Sequence, residues 1–269
     1  MMYSKEYNTI RSGFDDSMWE CLAENGCIIA GGAVTNVFTQ QPINDFDVYF
    51  PSKEAFTKVF KEVYKESWND YRDSEFGIDF GSGIVSVVTK KALLLFRGES
   101  KIQFIVHDFY QTAEEIFDDF DFTVCMGALN MKDNSWSFNT DFFKHNSQRY
   151  LHFNSNTAYP LVSALRVDKY KKKGYNISKA QMFKILSAVN AKNIDNWETL
   201  MDEMGGMYGC KPEEIFDTSQ PFSMDAAMEA LDKVEIKDTV VANGSNHALI
   251  LKIIKHAFTD EYLSKYLKD

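Results

Sequence analysis

The chain is expected to fold as an α+β protein, with an N-terminal mixed sheet and helices followed by an all-helical C-terminal domain. Three observations predict this. Short apolar and β-branched runs are interleaved with helical periodicity up to about residue 140. Beyond Asn156 helical spacing runs almost throughout. At 269 residues the chain is long enough to bury a sizeable core as one large domain or two modest ones. The change of pattern near 140–157 gives an expected division into 1–145 and 146–269.

Residues 8–24 read as helix, with Met18, Trp19 and Leu22 at helical spacing. Cys27-Ile-Ile-Ala30 is a short apolar run stopped by two glycines, the pattern of a buried strand entering a turn, and Ala33–Phe38 fits a short helix. A second strand is expected over Phe46–Phe50, ended by Pro51. Ser52 can then cap a helix over Lys53–Lys65, with Phe56, Val59, Phe60 and Val63 along one face. Three β-rich stretches follow between about 84 and 106 (IVSVVT, ALLLF and KIQFIV). A helix around Thr112–Phe117 leads to a strand over Phe122–Asn130, hairpinned to Trp136–Phe138. The later helices are expected at 158–173, 178–190, 196–204, 224–233 and 246–257, with Pro212 and Pro221 at two of the breaks.

Composition narrows the function class. Hydrophobic residues make up 45% and charged residues 25%, ordinary for a globular protein, and no apolar run is long enough to cross a bilayer. The first twenty residues lack an apolar signal core, so a cytoplasmic location is the expectation. The four cysteines are scattered and show no ligand spacing with the five histidines, which argues against zinc; Cys27 and Cys125 sit in apolar runs and read as buried thiols. A net charge of −10 argues against indiscriminate coating of nucleic acid, while leaving room for a local basic patch. The run Lys169-Tyr-Lys-Lys-Lys173, with Arg166 a turn earlier, is the clearest basic cluster in an acidic chain. It reads either as a contact to triphosphate or RNA backbone or as a solvated helix face, with Arg166 and Lys169 inward and Lys171–Lys173 outward.

The stretch that carries chemistry is Ile28–Phe50. A buried strand delivers Gly31-Gly32 onto a helix, where the chain can approach phosphate closely and backbone N–H groups face it. Asp45 and Asp47 flank Phe46, so in a strand both carboxylates project from one face. Two adjacent carboxylates suit a hard cation, Mg2+ or Mn2+, that also takes phosphate oxygens. Each half of the pattern is common by itself. The combination of strand, Gly-Gly, helix, and Asp-hydrophobic-Asp-hydrophobic twelve residues on is far more specific.

That combination resembles the polymerase-β-type nucleotidyltransferase superfamily, most closely the head and neck domains of the bacterial CCA-adding enzyme and poly(A) polymerase group. Gly31-Gly32-Ala33-Val34-Thr35-Asn36 followed by Asp45-Phe46-Asp47 is similar to the group's Gly-Gly-Ala-Val-Arg-Asp and Asp-x-Asp. Asp119-Phe-Asp-Phe-Thr-Val-Cys-Met-Gly-Ala128 resembles its Arg-Arg-Asp-Phe-Thr-Ile-Asn-Ala-Met-Ala. Leu165-Arg-Val-Asp-Lys-Tyr170 and Gly174-Tyr175 resemble its later Leu-Arg-Ala-x-Arg-Phe helix and Gly-aromatic. These segments span about residues 25–178 in the group's order.

The resemblance implies a nucleotidyltransferase that moves a nucleoside monophosphate from an NTP to a hydroxyl, on RNA or a tRNA-like 3′ end, with release of pyrophosphate. Asp45 and Asp47 would be both catalytic and metal-binding. Gly31, Gly32, Asp121, Arg166 and Lys169 would bind nucleotide. The departures are equally specific. The third carboxylate falls at Gln103, a neutral amide, unless Asp121, Glu99 or Asp108 substitutes. The arginine after Gly-Gly-Ala-Val is Thr35, and the two arginines before Asp-Phe-Thr are Asp119 and Phe120. Loss of these bidentate donors leaves base selection of the CCA type in question. Two alternatives stay open: transfer to a protein or small-molecule acceptor, and a degenerate domain that binds nucleotide or a partner without turnover.

Overall fold

A computed structural model of the chain describes residues 2–60, 62, 85–88, 92–97, 100–106, 108–204 and 215–232. The expected helix at 246–257, the end of the one expected to Lys65, and Cys210 lie outside these residues. The described chain is α+β and divides into two compact units. One holds the described residues up to Ile116 together with Gly127–Phe138; the other holds Phe117–Met126 and the described residues between Asn139 and Asp232.

The first unit opens with α1 (Ser4–Arg11) and α2 (Asp16–Glu24), where helical spacing predicts one continuous helix. The break has one local and one tertiary cause. Asp15 caps α2 by accepting the Met18 N–H at 2.8 Å, and a Cβ on Gly13 would stand 2.3 Å from the Phe46 ring. The chain must therefore turn over that ring, and Phe14 packs on it at 4.9 Å between centroids.

Next come β1 (Ile28–Ala30), α3 (Gly32–Phe38) and β2 (Phe46–Tyr49), close to the expected bounds. Residues 53–60 form α4, whose first turn is capped by Ser52 Oγ accepting from the Ala55 N–H at 3.2 Å. Strands β3 (Val85–Val88), β4 (Ala92–Arg97) and β5 (Ser100–Ile105) realise the three predicted β-rich stretches. A hairpin of β6 (Gly127–Asn130) and β7 (Trp136–Phe138) completes a seven-stranded sheet in the order β3-β4-β5-β2-β1-β6-β7. The β2–β5 pair is parallel and the other pairs antiparallel, so the sheet is mixed. Its centre is apolar: Ile28, Ile29, Ala30, Val48, Ile102 and Phe104 are all buried.

Periodicity predicts strand from Phe122 onward, and here the structure differs. Phe122 makes an isolated bridge to Phe153, Thr123–Cys125 forms a 3-10 turn, and strand pairing begins only at Gly127. Later residues take the backbone groups that a ladder would use: the His152 carbonyl accepts the Thr123 N–H at 3.1 Å. Asn146 Nδ2 donates to the Val124 carbonyl at 3.0 Å, and the Thr123 hydroxyl lies 2.7 Å from His145 Nδ1.

The second unit contains that turn, α6 (Phe142–Ser147), α7 (Pro160–Lys172), α8 (Lys179–Ala191), α9 (Trp197–Met204) and α10 (Met224–Asp232). The preceding α5 (Ala113–Asp119) ends at its edge. One core gathers Phe122, Val124, Leu151, Phe153, Val167, Tyr170, Tyr175 and Ile185; another gathers Leu200, Met204, Phe216 and Ala227. Cys27 and Cys125 are buried free thiols, as their apolar settings predict, and burial raises the pKa of both, that of Cys27 well above the ordinary range. Among the described residues no helix is long and apolar enough to cross a membrane.

Candidate functional site

The sheet unit places Gly31, Gly32, Asp45 and Asp47 together. Ala30 is the register partner of Asp47 across the antiparallel β1–β2 pair, so the turn that leaves β1 lies beside the carboxylates that open β2. Gly31 has φ 83° and ψ −131°, a backbone state that an L side chain resists, and this leaves the next residue free to start α3. At Gly32 a Cβ would meet nothing within 4 Å, so the space over the turn is open. Strand β2 begins at Phe46, which puts Asp45 just ahead of the strand rather than inside it. Both aspartates are half-buried: Asp47 stands between the buried Phe46 and Val48, and Asp45 just before Phe46.

The loop before Asp45 is tied to α3. Asn36 Nδ2 donates to the Pro42 carbonyl at 2.8 Å, and the Asn36 carbonyl accepts the Gln41 N–H at 2.8 Å. The neighbouring Thr35 is 5% exposed, and its hydroxyl donates to the Gly31 carbonyl one turn back at 3.0 Å. Position 35, where the resembling family carries arginine, thus holds the Gly-Gly turn from inside.

The parallel β2–β5 pair aligns Asp47 with Gln103. Register partners in neighbouring strands share a face of the sheet, so a row runs Ala128, Ala30, Asp47, Gln103. Gln103, the residue that falls at the third-carboxylate position of the resembling family, is 8% exposed and neutral. Among the described residues no group of three His, Cys, Asp or Glu side chains is gathered to hold a metal ion. What this end of the sheet presents is two carboxylates and an amide. That set fits one hard cation whose other positions go to phosphate and water oxygens, and fits a second cation poorly.

Asp121, Arg166 and Lys169 come together in the other unit. Asp121 is 5% exposed, and Arg166 Nη1 lies 2.9 Å from its Oδ2. The approach is within ion-pair reach but off hydrogen-bond direction, leaving that oxygen buried without a hydrogen bond. Burial pushes the Asp121 carboxyl above its ordinary value, against the downward pull of Arg166, of the Asp121 and Phe122 backbone N–H groups and, last, of Lys169. The cluster extends to two residues that spacing alone did not single out. Arg166 Nη2 donates to the Tyr170 hydroxyl at 3.2 Å, and that hydroxyl lies 2.6 Å from Cys125 Sγ. Arg166 and Tyr170 are four apart on α7, which puts them on one face; nothing local marks Cys125 as their neighbour.

Residues 3–149 match the profile described as Gabija anti-defense 2 family protein. The Gabija anti-defense 2 protein of Bacillus phage SPbetaL7 is 39% identical over 234 residues, covering 87% of this chain and 54% of its own length. The chain thus spans about half of that curated relative, and it belongs to the Gabija anti-defense 2 family. Among solved structures, a CCA-adding enzyme in its apo form I superposes with a TM-score of 0.50 at 13% identity, over 78% of this chain and 51% of that one. A tRNA-processing enzyme, also apo form I, gives 0.49 at 14% identity over 95% and 66%. The CCA-adding likeness shows a nucleotidyltransferase-type fold.

Proposed function

We propose that this member of the Gabija anti-defense 2 family is a metal-dependent nucleotidyltransferase that moves NMP from an NTP to a hydroxyl, with an RNA or tRNA-like 3′ end as the first acceptor to test. The observation that carries the reading is the register Ala30–Asp47, which seats the Gly31-Gly32 turn beside the Asp45–Asp47 pair. Phosphate groups and a hard cation need just such adjacency of backbone N–H donors and carboxylates. Asp45 and Asp47 would hold Mg2+ or Mn2+, which when bound polarises the phosphoryl group and neutralises charge on the leaving pyrophosphate. Gly31 and Gly32 let the backbone come close to the triphosphate. Thr35 and Asn36 keep the turn and the 40–45 loop in place by the bonds described above. Within the helical unit, Asp121, Arg166 and Lys169 would offer nucleotide-binding groups of their own.

The test is incubation of the protein with Mg2+, labelled NTPs and total RNA, alongside Asp47→Ala. Label entering RNA only with the parent protein supports the reading. Label that survives RNase but not protease moves the acceptor to protein. No transfer to either, matching the Asp47→Ala control, counts heavily against an enzyme.

Gln103 favours one second reading, a domain that binds nucleotide without turnover. A neutral amide beside Asp47 lowers the charge available to a metal. Calorimetry showing NTP binding indifferent to Mg2+, with no pyrophosphate released, would select it.

A further inference from the structure

Charge is unevenly distributed along this acidic chain. Between residues 139 and 192 there are ten Lys and Arg against two Asp, a net of +8 in a chain of net −10. Part of this charge is engaged internally: Arg166 with Asp121, Lys192 with Glu203, Lys172 with Asp168 and Lys144 with Asp141. Lys171, Lys173, Lys179 and Lys184 are exposed.

The fold gathers several of these groups on one side of the helical unit. Helix α7 ends at Lys172, and after a five-residue turn Ser178 caps α8, so Lys171–Lys173 and Lys179 crowd one end of the α7–α8 hairpin. The 149–152 segment lies along the start of α8. The Arg149 carbonyl accepts the Asn176 N–H at 2.7 Å, Tyr150 Oη is 3.1 Å from Ser178 Oγ, and His152 Nδ1 is 3.4 Å from Gln181 Nε2. Burial first, and then the charge of Lys184, hold the His152 imidazole below its ordinary value, against the upward pull of Asp141.

On this basic ground stand two apolar side chains that the unit's core does not take. Helix α8 buries Gln181 and Ile185, and on its outer face Phe183 is 71% and Leu186 56% exposed. Lys179 lies one turn before Phe183 on the same side of α8, and Lys184 is the next residue, about 100° round the helix, so exposed cations border the aromatic ring. A membrane-surface helix would need a broader apolar face than these two residues provide. An acidic protein surface would satisfy the lysines but gives no reason for a projecting, unpacked ring. Single-stranded nucleic acid satisfies both, because its phosphates pair with Lys and Arg while an unpaired base stacks on an aromatic ring.

We propose that α8, with Arg149 and the Lys171–Lys173 turn, is a binding surface for single-stranded RNA, on which Phe183 stacks a base between phosphates held by Lys179 and Lys184. The choice of RNA rests on the nucleotidyl-transfer reading; the binding itself does not. The test is fluorescence anisotropy with a labelled 12-nucleotide oligo(U), without NTP or divalent cation.

Phe183→Ala should weaken binding about tenfold or more while leaving its salt dependence unchanged. Lys179→Glu with Lys184→Glu should weaken it by at least as much. It should also flatten the slope of log K against log salt by about 1.4, or about 0.7 for each phosphate left without its lysine. Equal competition by poly-glutamate, with Phe183→Ala silent, would overturn the proposal in favour of an acidic protein partner. Tighter binding of oligo(dT) would overturn the assignment to RNA, and no binding would overturn it outright. Asp47→Ala should bind oligo(U) like the parent protein. Binding retained without transfer sinks only the enzymatic reading, and transfer without binding sinks only this surface.

Discussion

Asp47 and Gln103 are register partners across the parallel β2–β5 pair. The residue beside Asp47 is therefore an amide. Its near-complete burial makes the substitution consequential, because a neutral group there needs no counter-ion and a carboxylate would.

Gln103→Glu should accordingly behave as a metal-dependent fold. Without divalent ion, the new carboxylate sits buried near Asp47 and should lower stability by about 1–3 kcal/mol. Added Mg2+ should recover that loss and bind more tightly than to the parent protein. Thermal melts in EDTA and in a Mg2+ series check this. Melts that are indifferent to Mg2+ would show that the two positions do not share an ion.

Asp47→Asn tests the chemistry with little disturbance to the fold, since Asp47 is half-buried at a strand end. On the proposed nucleotidyl-transfer reading, transfer should fall about 10^3-fold, the scale of losing several kcal/mol of charge stabilisation, with the melting temperature held or raised. Activity within a few-fold of the parent protein would remove Asp47 from the site.

Thr35→Arg restores the arginine of the resembling family in sequence but should not restore its role. The position is 5% exposed and faces the Gly31 carbonyl, so a guanidinium there is either buried or displaces α3. A stability loss of about 2–4 kcal/mol is expected, with no gain in NTP affinity. Nucleotide-binding calorimetry and a denaturant titration decide between this and a true gain of phosphate binding.

Arg166→Met should destabilise the helical unit by about 2–3 kcal/mol. The figure lies below that for a fully buried pair because the Arg166 side chain is 34% exposed. The cause is Asp121, left without its cation, and Asp121→Asn in the same chain should recover most of the loss.

Asp121 also gives stability a pH dependence of definite sign. Burial raises its folded pKa above the unfolded value of about 3.9, so the folded state holds this proton more tightly. Its contribution is most favourable below the unfolded value and is lost as pH rises through the raised folded value. The stability of the parent protein relative to Asp121→Asn should therefore improve as pH falls from 7 towards 4. Denaturant titrations across that range measure it, and the opposite trend would mean that the Arg166 ion pair outweighs burial.

Much of this molecule is legible in the order of its residues. Cys27–Ala30 followed by Gly31-Gly32 announces a strand and a turn, and Asp45-Phe-Asp47 announces paired carboxylates, because hydrophobic run length and glycine conformation act over a few residues. The same locality explains the misreadings. Nothing near Gly13 in the sequence reveals that the Phe46 ring will press on it and break a helix in two. Nothing near Val124 reveals that Asn146 will take its carbonyl and convert predicted strand into a 3-10 turn.

By itself the sequence determined the α+β pattern, the change to helices, and the residue types that a phosphate and metal site would use. Only the tertiary structure decided that Ala30, Asp47 and Gln103 form one row, that Thr35 faces inward, and that Asp121 and Cys125 meet the Arg166–Tyr170 face of α7. The reason is that strand register and helix packing join residues tens of positions apart through buried contacts. No local propensity encodes those contacts, and they come into being only when the core closes.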